Sequence, residues 1–262
     1  MRKLGIRCFG FNNLTDEEYI KLVSEVGFNC VSTNVEKSDI EQLKWAKLLK
    51  KYNLEYENMH APFDHINDMW LTGENGDKML KELKDSVCRC NLVGVSTMIV
   101  HLSSGFNAPF VNDLGISRFI ELVNFAKEKN VKIAFENLRK ISNLAWAMEY
   151  FENYENVGFC WDVGHEACFS PNKHFMPFYG ERLIALHIHD NNCMLGCDEH
   201  FIPFDGKIDF NYVCNEIRKS KYQGPITLEV LYGESYKNVS PKDYFLKAYN
   251  VAKKIRNMVE NV

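Results

Sequence analysis

The chain has 262 residues, a formal net charge of −4, 46% hydrophobic and 25% charged residues, the proportions of an ordinary globular protein and not of a disordered one. Its basic residues are scattered, which excludes the electrostatic footprint of a nucleic-acid binder, and no apolar run approaches the ~18 to 20 residues that cross a bilayer. The start Met1-Arg2-Lys3 has no signal-peptide core behind it, and nine cysteines, odd in number and irregular in spacing, suit a reducing, cytoplasmic setting.

Strand and helix signals alternate from end to end. Residues 4–9 read as a first strand. Asn13-Leu14-Thr15-Asp16-Glu17-Glu18 then offers an N-cap and an acidic first turn before an amphipathic run to Val26. Strands follow at 28–33, 54–60, 97–101, 132–136, 157–163, 183–188 and 225–231. Helices are expected at 38–52, 78–93, 111–129, 142–151, 174–179, 209–220 and 241–258, divided by Gly, Asn and Asp punctuation.

Such alternation implies parallel strands with right-handed crossovers. Apolar runs such as Met98-Ile99-Val100 suit strands buried on both faces. Eight repeats favour a closed (β/α)8 TIM barrel over an open sheet, as one domain across 1–262. No Gly-rich dinucleotide fingerprint or phosphate loop is present, so no nucleotide cofactor is expected. Cys88-Arg89-Cys90 and Cys193…Cys197 lack the two-residue gap of a zinc knuckle.

In a parallel barrel the chemistry sits where strands end and loops begin. The expected strand ends carry His60, His101, Glu136, Asp162, His187 and Glu229, with His165 three residues past Asp162 and with Asp198 and His200 on the following long loop. A carboxylate facing a barrel interior is costly unless paired or bound to a cation. Oxygen and nitrogen ligands without thiolate suit Zn, Mn, Co, Fe or Mg. His189, expected to turn away from the site, is assigned a supporting or structural role. His65 and His174 are read as loop residues, and Phe135 and Trp161 as packing. Arg139 and Lys140 could meet a phosphate or carboxylate on a substrate.

These motifs, His60-Ala61-Pro62, Glu136-Asn137, Asp162-Val163-Gly164-His165, His187-Ile188-His189-Asp190 and Glu229, together resemble the xylose-isomerase-like TIM-barrel superfamily, specifically its sugar-phosphate isomerase/epimerase group. Asp198 to Pro203 and Gly206 to Asp209 resemble the loop that closes the pocket in its small-molecule branch. The resemblance implies one divalent ion held by Glu136, Asp162, His187 and Glu229. It also implies a small sugar or polyol as substrate; Glu136 and Glu229, delivered by opposite parts of the strand order, are then expected as the base and acid pair, and His165 and Arg139 as substrate contacts.

A second resemblance, to the related zinc-dependent apurinic endonucleases, implies up to three ions on the larger set His60, His101, Glu136, Asp162, His165, His187, Asp198, His200 and Glu229. An inosose dehydratase-like lyase is a further alternative. A non-catalytic binding barrel would have no need of both glutamates. A homo-oligomer is compatible with each of these.

Overall fold

A computed structural model describes residues 1–9 and 14–260. Its strands are β1 (Leu4–Arg7), β2 (Cys30–Asn34), β3 (Glu55–His60), β4 (Thr97–Val100), β5 (Lys132–Glu136), β6 (Val157–Asp162), β7 (Leu183–His187) and β8 (Ile226–Leu228). The helices are α1 (Asp16–Val26), α2 (Asp39–Lys51), α3 (Glu74–Val93), α4 (Asp113–Glu128), α5 (Ile141–Tyr150), α6 (Val163–Phe169), α7 (Met176–Tyr179), α8 (Phe210–Lys219) and α9 (Pro241–Glu260).

Parallel neighbours run in the order β7-β6-β5-β4-β3-β2-β1-β8. The ring closes through a parallel bridge from Ile188 to Leu228, where Glu229 N–H donates to the Ile188 carbonyl at 2.9 Å. The eight-stranded barrel expected from the alternation is the observed fold. No helix among the described residues is long and apolar enough to cross a membrane.

Three local differences from the expected elements stand out, two of them with a visible cause. Asn13 lies outside the described residues, and Thr15 caps α1: its hydroxyl accepts the Glu18 N–H at 3.3 Å while its own N–H donates to Glu18 at 2.8 Å, a capping box. The sixth strand stops at Asp162 because that side chain accepts the His165 N–H at 2.6 Å and starts α6, a helix the apolar pattern of 157–163 conceals. The last strand is confined to Ile226–Leu228.

Side chains two apart on a strand share a face. Ile99, Ala134, Cys160 and Ala185 form one small apolar cluster, each two residues before His101, Glu136, Asp162 or His187. This layer plugs the barrel directly beneath those polar groups. Phe135 and Trp161, fully buried on the alternate face, pack outward as expected. Phe135 stacks on Phe151 with centroids 6.0 Å apart.

The loop after β7 is fastened by one buried carboxylate. Asp190 Oδ1 accepts N–H groups from Asn191 at 2.8 Å and Ile208 at 3.0 Å, and Oδ2 those of Phe204 and Gly206 at 2.9 Å. Cys193, His200 and Phe204 in this loop hold positive φ of 56°, 50° and 74°, which is unfavourable for side-chain-bearing residues. The clamp offsets that strain. Asp190→Ala is therefore expected to lower unfolding stability by on the order of 3 kcal/mol in urea titrations, with Asp190→Asn losing less; an unchanged midpoint would contradict this role.

Candidate metal centre

The polar strand ends meet on one rim. His60, Glu136, Asp162 and His187 are the last residues of β3, β5, β6 and β7, and His101 and Glu229 directly follow β4 and β8. Asn137 aligns two of these ends. Its side-chain amide donates to the Asp162 carbonyl, and its Oδ1 accepts the Asp162 N–H, both at 2.8 Å.

Among the described residues four donor sets have potential ligand atoms within 4.8 Å of one another; one of them, Glu136, Cys160 and His187, overlaps the four-residue set, which leaves three distinct groups. In the first, Glu136, Asp162, His187 and Glu229 converge: His187 Nδ1 lies 2.9 Å from Glu136 Oε1, 2.8 Å from Glu229 Oε2 and 3.8 Å from Asp162 Oδ2. In the second, His101 Nε2 lies 2.8 Å from Glu136 Oε2 and 3.1 Å from His60 Nε2. In the third, Asp198 Oδ2 lies 3.1 Å from His165 Nε2 and 3.3 Å from His200 Nε2, with His189 alongside. Six of the eight histidines take part, while His65 and His174 lie outside, as expected.

The side-chain chemistry fits divalent cations. Nδ1 of His60, His165 and His200 lies 2.8, 3.1 and 2.8 Å from the carbonyls of Ala61, Asn137 and Glu229. Donation there leaves each Nε2 directed into the rim, the arrangement typical of metal-ligating imidazoles. Several buried atoms of the same groups, Asp162 Oδ2, Asp198 Oδ1, Glu229 Oε2 and His187 Nε2, have no well-directed hydrogen bond. Such orphaned atoms are rare in folded proteins and call for a partner.

Electrostatics point the same way. Burial alone would raise Glu136, yet His187 and His101 hold its carboxyl well below the usual range. Burial likewise opposes the low value of Glu229, which His187 and Arg7 impose. Burial, reinforced by Arg7, pushes His60 down to about 3, so its lone pair is available at neutral pH. Burial would also lower His165, but Asp162, Asp198 and Glu136 lift it to about 10. Against the same opposition, Cys160, Glu229 and Glu136 raise His187, and Asp198 and Glu229 raise His200. Protons on these rings occupy positions that a cation would take.

Strand-end reasoning missed Arg7 and misjudged the direction of His189. Arg7, at the end of β1, is buried and paired with Glu229 Oε1, and it donates to Asn34 Oδ1 at 2.7 Å. The strand-end rule would have found it had it been applied to arginine. His189 was expected to turn away, but residues two apart share a face. It faces Asp162 Oδ1 at 3.1 Å and stacks on His200 at 3.9 Å. Gly164 makes room for it: a Cβ there would sit 1.9 Å from His189 Cε1. A cavity of 260 Å³ opens above the donors, bordered also by Arg7 and Arg139.

The family description "xylose isomerase-like TIM barrel" matches residues 20–255. Protein y4fM of Sinorhizobium fredii is 34% identical over 139 residues, which cover 50% of this chain and 43% of that relative's own length. Among solved structures, D-psicose 3-epimerase with D-tagatose, from Clostridium cellulolyticum H10, superposes with a TM-score of 0.79 at 14% identity, covering 98% of this chain and 99% of that one. The apo form of 3-keto-D-glucoside 4-epimerase, YcjR, from E. coli gives 0.76 at 15% identity, covering 97% and 100%. At such identities these likenesses show the fold.

Two outcomes are expected of this geometry. Zn²⁺ binding should release protons, its apparent affinity rising about tenfold per pH unit for each proton displaced between about pH 6 and pH 8. The raised imidazoles hold their protons more firmly as pH falls, which sets the sign. Titration calorimetry in buffers of different ionisation enthalpy checks it, and pH-independent binding would contradict it. Gly164→Ala, by displacing His189, should cost about 1 to 3 kcal/mol of stability and reduce the metal content measured by elemental analysis.

Proposed function

The chain belongs to the xylose isomerase-like TIM-barrel family, and on that premise we propose that it is a divalent-metal-dependent isomerase or epimerase of a sugar, sugar phosphate or related polyol ketone. One observation carries the reading. Glu136 and Glu229 reach the rim from separate strands, converge with Asp162 and His187 on one buried point, and border the same cavity. At 260 Å³ that cavity is below the ~300 to 1,000 Å³ of pockets for drug-sized ligands, which suits a monosaccharide.

Moving a hydrogen next to a carbonyl requires a base, an acid and positive charge beside the oxygens. A cation held by Glu136, Asp162, His187 and Glu229 would supply the charge as a Lewis acid. One ionised glutamate would take the proton from carbon as the C–H electron pair passes into an enediolate; the other, having first taken up a proton, would return one to the opposite face or the neighbouring carbon, and the first would then release the proton it gained to solvent. Arg7 orients Glu229 through one carboxylate oxygen, leaving Oε2 to His187 Nδ1 at 2.8 Å. His165 is placed to hydrogen-bond a substrate oxygen when it is not serving as a ligand.

A second reading, a multi-zinc phosphodiesterase of apurinic-endonuclease type, is favoured by the His60–His101–Glu136 and His165–His189–Asp198–His200 groups, the former sharing Glu136 with the four-residue group. Solvent deuterium exchange separates the two. The isomerase reading expects metal-loaded protein to incorporate deuterium into a ketose or inositol-derived ketone. Glu136→Gln and Glu229→Gln should each slow this by at least about 100-fold, with metal content measured in parallel. Chelator-sensitive incision of an abasic duplex, with no exchange across the ketone panel, would replace this reading by the hydrolase.

A further inference from the structure

We propose that the substrate carries an anionic substituent, and that Arg139, seconded by Lys140, receives it at the cavity rim. The inference rests on the isomerase reading and narrows its substrate class.

Arg139 lies three residues beyond Glu136 and borders the cavity. Its guanidinium sits 3.5 Å from the centre of the Phe169 ring and 5.6 Å from that of Phe106. These contacts place the charge over the Phe169 face and beside Phe106, whose ring stands at 88° to that of Phe169, and a cation–π contact of this kind uses none of the guanidinium's N–H donors on a hydrogen-bond acceptor. Lys140, the next residue, rests its Nζ 3.5 Å from the exposed Phe110 ring. Two adjoining cations are thus held in place by aromatic faces on the loop that leaves the metal-ligand strand.

What sets Arg139 apart is the absence of a polar partner. Arg182 donates to the carbonyls of Met148, Phe151 and Val157, Arg118 to those of Met69 and Leu71 and to Asp77, and Arg7 is committed to Glu229 and Asn34. Among the described residues Arg139 makes no hydrogen bond and no ion pair, although it is half-buried. Asp198 acts on it only at a distance, its oxygens being turned to His165 and His200. Neither cation neutralises one of the site's carboxylates.

Removing a guanidinium partly from water without an acceptor is unfavourable, and a residue kept only for packing on Phe169 would need no charge. A phosphate or carboxylate would accept two parallel N–H bonds from Arg139, with Lys140, the next residue along the chain, adding positive charge. A neutral sugar would leave these donors unmet. The two anion chemistries share this recognition and are separated by experiment.

Titration calorimetry with sorbitol, sorbitol 6-phosphate and gluconate reads binding without turnover, since none has a carbonyl to enolise. Metal-loaded wild-type protein should bind one of the two anionic probes at least about tenfold more tightly than sorbitol, and whichever it prefers names the anion. Arg139→Gln should shrink the preference to below about threefold while retaining its metal content and unfolding midpoint, with Arg139→Lys in between. Anionic probes that bind no better than sorbitol, or not at all, overturn the proposal, as does a preference that survives Arg139→Gln. Deuterium exchange into neutral ketoses that is equal in wild type and Arg139→Gln would sink the anion subsite and keep the isomerase. Arg139-dependent binding of sorbitol 6-phosphate, with no exchange into any phosphorylated or neutral ketose, would do the reverse.

Discussion

Like-charged carboxylates gathered in a buried rim repel one another and are stripped of water, and the surrounding structure is organised by how that charge is met. Glu136, Asp162 and Glu229 are buried, with Asp198 half-buried beside them. The permanent counter-charge in direct contact is Arg7, through Glu229. Protonated imidazoles supply the rest; a bound cation would supply it in their place, with the imidazoles then offering lone pairs. Replacing such a cluster by apolar residues would often stabilise a fold. Its retention here is therefore a reason to look for chemistry and not for stability.

Ligand orientation is set by the main chain, one layer further out. The reciprocal amide contact between Asn137 and Asp162 fixes the relative height of β5 and β6. Capping by Asp162 ties its Oδ1 to α6 and leaves Oδ2 for the rim. Asp190 performs the equivalent task for the loop that carries Asp198 and His200, gathering four N–H groups on one carboxylate. His200 can occupy a left-handed backbone conformation because both sides of the loop are pinned, and its Nδ1 contact with the Glu229 carbonyl transfers that rigidity to β8.

The barrel was legible because eight apolar runs separated by helical periods leave few alternatives, and parallel topology then assigns every strand's C-terminal end to one face. That reasoning located Glu136, Asp162, His187 and Glu229 without knowledge of any distance. It failed where side-chain direction, capping or pairing decides. α6 was hidden because Val163 continues the apolar run of β6 while Asp162 ends it. Arg7 was passed over because arginine at a strand end has no metal-binding connotation, although a buried carboxylate needs such a partner. His189 was misdirected by an error of alternation. The role of Gly164 emerges only when the approach of the His189 ring is seen.

Sharing of ligands adds a further constraint. Glu136 contributes one oxygen toward His187 and the other toward His101 and His60, and Asp162 spans the first group and His189. A cation bound at the four-ligand point would orient Glu136 for the His60–His101 pair, and His60, held neutral by burial and Arg7, has no proton to surrender. The His165 group differs: its imidazole is proton-bearing until well above neutral pH, so a cation there must first displace that proton. The three groups are consequently unequal despite their similar composition. How readily each group would take a cation depends on this hierarchy of protonation, and not on a count of histidines.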